Sequence, residues 1–243
     1  MWALYKKEIA IFLSSLLGYI VIGVFLGIIS LLLWVIDGPA NIVDGKYASI
    51  DGLFTIAPWV FIFLISLITM KSFAEEKDSG TFELLFTKPI SDLQIVLAKY
   101  LAGFTLFVLA IIPTLVYFVT VYQLGEPVGN IDIGSTIGSY IGLSFLGGAF
   151  VSIGIFASAV TNNQIISVIL SVFLCFFAYT GFDLIGGQAF MGKAGLILQN
   201  IGIAEHYDSI SKGRVDSRDV IYFLSVIALF LMLTKTTVNS RKW

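Results

Sequence analysis

The stretch EEKDSGTFELLFTKPISDLQIVLAKY, residues 75–100, determines how the rest of the chain is arranged. It is densely charged, and it separates two apolar runs that are each long enough to cross a membrane. A charged side chain near the centre of a membrane helix costs about 2.5–3.5 kcal/mol on insertion scales. The stretch therefore lies in water, between two membrane-spanning helices.

The pattern within this stretch predicts an ordered bend. Gly80 precedes an apolar patch, residues 81–86, and Pro89 ends it because proline lacks an amide hydrogen and clashes with the previous turn. Ser91 and Gln94 then have the spacing of a capping box, which begins a new helix. An exposed apolar patch favours contact with a partner in the aqueous phase. The alternative is a solvated turn that contacts nothing.

Composition places the chain in a membrane. Of its 243 residues, 58% are hydrophobic and 12% are charged, with a mean hydropathy of +0.96. A soluble domain carries about 25% charged residues. The net charge of −2 gives no reason to expect a nucleic-acid partner. With only Cys175 and His206 as soft ligands, we expect neither an internal disulfide nor a metal site.

We predict an all-α integral membrane protein with an N-terminal amphipathic interfacial helix, residues 1–15, and six membrane spans. The first uncharged run, 21 residues long, is enough to cross about 30 Å of hydrocarbon. The predicted spans cover residues 16–36, 53–72, 98–122, 134–160, 164–185 and 219–238. Between them lie a charged segment, residues 73–97, and a second long polar segment, residues 187–218.

The fourth and fifth spans are inferred from a long uncharged run, residues 133–182. As one helix it would be about 75 Å long, so it must turn back at the polar residues 161–164. Small residues recur along span four and predict close helix packing. They are Gly134, Gly138, Gly142, Gly154 and Ser158, although Gly134 can also be read as part of the preceding loop. Span one carries a similar pair, Gly23 and Gly27.

Charge sets the orientation. Six spans place both termini on one side of the membrane. With that side in the cytoplasm, nine of the 14 Lys and Arg residues lie inside and five outside. Lys6, Lys7 and Glu8 fall on the polar face of the N-terminal helix, and we expect the two lysines to lie toward lipid head groups. The alternative is that this helix simply begins span one.

The sequence contains little that suggests catalysis. Gly187, Gly192 and Lys193 have the spacing of a phosphate-binding loop, but Ala194 lacks the hydroxyl that would hold magnesium. The stretch also follows a membrane helix instead of a buried strand. We interpret Asp183, at the end of span five, as a polar interface residue, and a transport role is the less favoured alternative. We interpret His206 as a polar packing residue at an interface, and a pH-sensing or ligand role is the less favoured alternative. We expect no catalytic, cofactor or metal site in this chain.

Several motifs resemble the permeases of ABC-2-type transporters. They are Glu76-Lys77-x-x-Gly80-Thr81-x-Glu83-Leu84-Leu85, Thr87-x-Pro89-Ile90-Ser91, Ala57-Pro58-Trp59, Met70-Lys71-Ser72-Phe73 and the loop around His206. Within that family the chain resembles the gliding-motility-associated permeases of the Bacteroidetes. The resemblance implies the ABC-2, type V exporter-like fold with an N-terminal elbow helix, in the inner (cytoplasmic) membrane with both termini in the cytoplasm.

The resemblance also implies partners. A separate cytoplasmic ABC ATPase would bind ATP and Mg, and a second permease subunit, identical or different, would complete the transporter among membrane lipids. The segment 73–97 would be the coupling segment that contacts the ATPase. The contact residues would be Glu76, Gly80, Thr81, Phe82, Glu83, Leu84, Leu85 and Pro89. The alternatives are a non-transporting membrane scaffold for motility or secretion machinery and an intramembrane enzyme.

Overall fold

The computed structural model describes residues 1–45, 47–82, 90–187, 192–214 and 216–240. Within these ranges all regular elements are helical. The α-helices are α1 (Trp2–Ser14), α2 (Leu16–Trp34), α3 (Asp51–Thr69), α4 (Lys71–Asp78), α5 (Asp92–Ile111), α6 (Leu115–Leu124), α7 (Ile133–Val160), α8 (Gln164–Phe176), α9 (Phe182–Gly186), α10 (Gly192–Gln199), α11 (Ile203–Ser211) and α12 (Ser217–Asn239).

Six helical stretches in the described ranges are long and apolar enough to cross a membrane, which confirms the predicted fold class. Spans 2, 3 and 5 each combine consecutive helices. The spans are 1 (Leu16–Trp34), 2 (Asp51–Asp78), 3 (Asp92–Leu124), 4 (Ile133–Val160), 5 (Gln164–Gly186) and 6 (Ser217–Asn239). Because spans alternate in direction, residues 73–82 and 90–97 and the turn at 161–163 share one end of the bundle, called the connecting-segment end below. Residues 192–214 lie at the opposite end.

Span 4 is the centre of the bundle. It is the most buried of the six spans and packs against spans 2, 3, 5 and 6. Its small residues make this possible, because neighbouring side chains occupy the space that a larger residue would fill. A Cβ added at Gly147 would lie 2.0 Å from the Phe107 ring, and one at Gly154 would lie 2.2 Å from Thr69 Oγ1.

The N-terminal helix α1 packs along span 3. Tyr5 and Thr105 share a hydrogen bond of 3.0 Å between their hydroxyl groups, and Phe12 is buried. Ser15 separates α1 from span 1 and caps the new helix by accepting a hydrogen bond from the Gly18 amide at 3.1 Å. The helix is therefore a distinct element that lies against the bundle.

The two prolines inside spans act differently. Pro113 interrupts span 3, where the 3₁₀ turn Ile112–Thr114 separates α5 from α6. Helix α3 instead continues through Pro58 without a break. Proline cannot donate the backbone hydrogen bond that Phe54 O, four residues earlier, would receive, so this carbonyl needs another donor. The hydroxyl of Tyr207 donates to it at 2.7 Å.

Candidate functional site

Helix α4 is the last part of span 2 and leads into the connecting segment. It begins after a turn at Met70, and a side chain of span 4 holds this turn. Ser158 Oγ accepts hydrogen bonds from the amides of Phe73 and Ala74, each at 3.0 Å, and donates to Met70 O at 3.0 Å. One serine thus supplies the capping that the local sequence lacks, and it fixes α4 to the end of span 4.

A second contact joins the same two elements. The ammonium group of Lys77 donates to the carbonyl of Ala159, in the last turn of span 4. A cation at this position is favourable because the last carbonyls of a helix have no intrahelical partners and carry partial negative charge. Helix α4 is therefore attached to span 4 at both ends of its length.

Lys99, near the start of span 3, is the most deeply buried charge at this end. Its side chain is 0% exposed, and its ammonium nitrogen lies 2.8 Å from Glu8 Oε1 and 2.8 Å from Glu76 Oε2. It also donates to the carbonyl of Ser72 and lies 4.9 Å from the centre of the Phe73 ring. A buried ammonium group is tolerated because it is surrounded by two carboxylates and a carbonyl.

Lys7 completes a cluster of two cations and two anions with Lys99, Glu8 and Glu76, called the four-charge cluster below. Its ammonium group lies 3.0 Å from Glu76 Oε1. Burial lowers the pKa of Lys7, but the hydrogen bond to Glu76 and the nearby carboxylates outweigh it, so the pKa lies above its ordinary value of 10.5. The cluster joins α1, α4 and span 3, and its formal charges cancel.

This cluster bears on two sequence predictions. We expected Lys7 to lie toward lipid head groups, but its ammonium group pairs with Glu76, and Glu8 on the same helix pairs with Lys99. Glu76 is a predicted contact residue for the ATPase, and both of its carboxylate oxygens are ion-paired with lysines of this chain. The reason is that α1 lies against span 3, where buried Lys99 needs counter-charges.

The described part of the predicted contact region follows α4 directly. Gly80 has φ +69°, in the left-handed region, and reverses the chain direction after the helix. Thr81 Oγ1 donates to Glu76 O at 3.4 Å. The Phe82 ring packs edge-on against Phe73 at 6.2 Å and lies 5.6 Å from the Lys77 ammonium. Four other predicted contact residues lie outside the described residues: Glu83, Leu84, Leu85 and Pro89.

The chain resumes in the structure with a fixed start to span 3. Ser91 Oγ accepts from the Gln94 amide at 3.4 Å, and Gln94 Oε1 accepts from the Ser91 amide at 3.1 Å. The capping box predicted from the sequence is confirmed.

The predicted small-residue stripe of span 4 contacts different partners at its two ends. A Cβ at Gly138 would lie 2.8 Å from Gly213 Cα, and one at Gly142 would lie 2.6 Å from Ile210 Cγ2. Both glycines therefore accommodate α11 and the turn after it, not a membrane span. Gly154 and Ser158 contact span 2, whereas a Cβ at Gly134 would meet only its own cap residue, Asp132, at 3.4 Å.

Helix α11 also forms polar contacts at the opposite end. Ser139 Oγ donates to Ser211 O at 2.6 Å, and Tyr207 donates to Phe54 O, as described above. His206 Nδ1 lies 2.7 Å from Asp219 Oδ1, its Nε2 lies 3.0 Å from Asn200 O, and its ring stacks on Tyr222. His206 thus joins α11 to the start of span 6 in a packing role.

Metal-ligating side chains do not cluster in the described ranges. Within these ranges, no three His, Cys, Asp or Glu side chains are close enough to hold a metal ion. Gly187 follows the helices of span 5, so the phosphate-loop-like spacing begins after a helix. Residues 188–191 of that stretch lie outside the described residues.

Sequence reasoning missed three residues that matter most here: Lys99, Ser158 as a cap, and Tyr207. Lys99 resembled a lysine at a membrane boundary, and Glu8, its partner, is 91 positions away in the chain. One signal was present for Tyr207, because any proline inside a helix leaves a carbonyl that needs a donor. The sequence does not say which residue supplies it.

One comparison with known proteins gives a match. A family model described as ABC-2 family transporter protein matches residues 2–242, almost the whole chain. The match covers the family as a whole and does not support the gliding-motility subgroup in particular. No curated protein matches the sequence.

Proposed function

The chain belongs to the ABC-2 family of transporter proteins and is a multi-pass membrane permease, and from this premise we propose that residues 73–97 couple it to a separate ATPase subunit. The ATPase would bind ATP and Mg and hydrolyse ATP in the cytoplasm. This chain would supply no catalytic residue. The movement of the ATPase would reach the spans through α4.

One observation carries this proposal: α4 is attached to three other elements at once. Ser158 and the Ala159 carbonyl hold it to span 4, and Glu76 joins it to Lys99 of span 3 and Lys7 of α1. A force applied to the segment after Gly80 would therefore act on spans 2, 3 and 4 together. A loop that merely connected two spans would not need these attachments.

The remaining assignments follow from the family and from charge. We propose the inner (cytoplasmic) membrane, with both termini and the connecting-segment end in the cytoplasm, because nine of the 14 Lys and Arg residues then lie inside. Six spans form half of such a transporter, so a second permease subunit, identical or different, completes it. A role in gliding motility or cell-surface export rests on the sequence resemblance alone.

The test is co-purification of the ATPase with variants of the connecting segment. Phe82→Ala and Glu83→Gln should leave the chain inserted and should weaken ATPase binding or stimulated hydrolysis. If Phe82 is an interface anchor, truncation should cost about 2 kcal/mol, roughly thirtyfold in affinity. Normal ATPase binding and normal hydrolysis in both variants would show that residues 73–97 only connect two spans.

A matched pair of serines on span 4 tests the attachment of α4. Ser158→Ala removes the cap at the turn, whereas Ser152→Ala removes only a bond from Ser152 Oγ to Ala149 O within the same helix. We expect Ser158→Ala to retain ATPase binding but to lower stimulated hydrolysis, and Ser152→Ala to change neither. Normal function of the chain with an inactive ATPase would instead indicate a non-transporting scaffold.

A further inference from the structure

A cavity of about 290 Å³ lies between α1 and the ends of spans 1, 2 and 3 at the connecting-segment end. Its volume is at the lower end of the range for small-molecule pockets, about 300–1,000 Å³, and suits one acyl chain better than a whole lipid. One part of its wall is apolar and the other part is charged. The apolar wall includes Phe12, Leu67, Ile68, Ala102 and Leu106.

The apolar part of the cavity reaches the surface at exposed apolar side chains. Ile11 and Leu17 line it and are 45% and 37% exposed. They lie on either side of the junction between α1 and span 1, where the chain turns at Ser15. A hydrocarbon chain can therefore enter from the bilayer without crossing the charged wall.

The charged wall contains two side chains for which no other described residue supplies an ion-pair partner. Lys71 and Glu75 line the cavity, four residues apart and so on one face of α4. Among the described residues, neither has an ion-pair partner within 4.0 Å. The other charges of this wall belong to the four-charge cluster, which is already neutral. Glu75 acts on Lys7 only at longer range.

We propose that this cavity binds one phospholipid with an ethanolamine head group, from the leaflet at the connecting-segment end. One acyl chain occupies the apolar part, between α1 and spans 2 and 3. The Lys71 ammonium binds the phosphate, and the Glu75 carboxylate accepts hydrogen bonds from the primary ammonium group. Both are charge-assisted contacts, which are stronger than neutral hydrogen bonds.

The pair of opposite charges selects among head groups. A choline head group carries a quaternary ammonium, which has no hydrogen to donate to Glu75. A glycerol head group leaves Glu75 facing the phosphate without a cation. An ethanolamine head group satisfies both side chains, so it should be preferred over the other two.

The test uses the full-length chain in mild detergent with an equimolar mixture of phosphatidylethanolamine, phosphatidylcholine and phosphatidylglycerol of identical acyl chains. Native mass spectrometry counts the lipids that stay bound. We expect one tightly retained phosphatidylethanolamine, favoured about tenfold over each competitor, which corresponds to ~1.4 kcal/mol. Equal retention of the three lipids, or a preference for phosphatidylglycerol, would overturn the proposal.

Two matched pairs of variants locate the site. Leu17→Trp fills the entrance and should abolish the retained lipid, whereas Leu16→Trp, on the neighbouring residue that is 76% exposed and outside the cavity, should not. Glu75→Gln should reduce the preference over phosphatidylcholine several-fold without loss of lipid binding, whereas Asp78→Asn on the same helix should not. If Leu17→Trp behaves as Leu16→Trp does, the retained lipid is only annular, and the proposal is wrong.

Discussion

The two ends of the bundle are held together by different forces. At the connecting-segment end, α1, α4 and span 3 meet around Lys99, whose partners are two carboxylates. At the opposite end, α11 packs onto span 4 at Gly138 and Gly142, with neutral hydrogen bonds from Ser139 and Tyr207. The first set of contacts depends on buried charge, and the second depends on close packing.

This difference predicts how each end responds to change. Ion pairs fix which groups meet, and removal of one partner leaves an uncompensated charge in a poorly solvated site. Close packing tolerates the loss of a polar group better but not added volume, because small residues leave no free space. The end proposed to receive force from the ATPase is therefore the one in which specific pairs define the geometry.

The largest effect is expected from Lys99→Met. Methionine has a similar length but no charge, so Glu8 and Glu76 would face each other without their shared cation. Breaking a buried pair in this way costs about 3–5 kcal/mol. The measurement is the unfolding transition of the purified chain in detergent.

Two controls separate charge from shape at Lys99. The first control is the exposed pair of Lys212 and Asp208, whose side chains are 65% and 63% exposed. Lys212→Met should lower the free energy of unfolding by no more than about 1 kcal/mol. Adding Glu8→Gln and Glu76→Gln to Lys99→Met should recover part of the loss, because the one charge of the cluster that then remains is Lys7, whose side chain is 50% exposed to solvent. A loss as small as that of Lys212→Met would mean that the four-charge cluster does not hold this end together.

At the opposite end, Gly142→Ala should destabilise the chain more than its control, Gly27→Ala. The new Cβ would lie 2.6 Å from Ile210 Cγ2, so α11 must shift, at a cost of about 1–3 kcal/mol. Gly27→Ala in span 1 is the control, because a Cβ there meets no atom within 4 Å of the described structure. It should be neutral or slightly stabilising, since alanine favours helix more than glycine does. Equal unfolding transitions for the two variants would contradict the close-packing account.

Tyr207→Phe tests the hydrogen bond that compensates for Pro58. Loss of the hydroxyl leaves Phe54 O buried without a donor, which costs about 1–3 kcal/mol. In a Pro58→Ala background the alanine amide can donate to Phe54 O within the helix, so Tyr207→Phe should then cost much less. A double-mutant cycle on the unfolding free energy measures this coupling. Additive effects would show that the Tyr207 hydroxyl does not compensate for Pro58.

The sequence predicted what depends on local pattern and missed what depends on distant partners. Hydropathy located the helices, and Ser91 and Gln94 located a cap, because each signal lies within a few residues of its effect. Lys99 could not be assigned a buried role, because its partner Glu8 lies 91 positions earlier, in the N-terminal helix.

The candidate site shows the same limit. The charged segment and its glycine were recognised from composition, but the attachment of α4 was not. Its main contact is Ser158, which sequence analysis singled out only as a small residue for close packing. The pattern indicated correctly that the helices approach closely at this point. It could not show that the hydroxyl would cap the amides of another helix.

The smallest expected effect comes from substitutions at a glycine with a left-handed backbone conformation. Each end of the bundle has one such glycine, and the two should respond differently to substitution. Gly80 has φ +69° and Gly213 has φ +78°. A Cβ at Gly80 meets no atom within 4 Å of the described structure, so substitution there costs only backbone strain, about 1–2 kcal/mol for most residues and less for asparagine. A Cβ at Gly213 would lie 2.5 Å from Ser135 Cα, so steric overlap adds to the strain.

Gly80→Asn should therefore retain ATPase co-purification and stimulated hydrolysis, Gly80→Ala should weaken them slightly, and Gly80→Val should weaken them most. The β-branched side chain of valine is the least compatible with a positive φ. Gly213→Asn should still lower the stability of the chain, because the asparagine Cβ meets Ser135 whatever its backbone preference. If Gly80→Asn is as harmful as Gly80→Val, the space around Gly80 is filled in the assembled transporter. The ATPase would then contact this glycine directly.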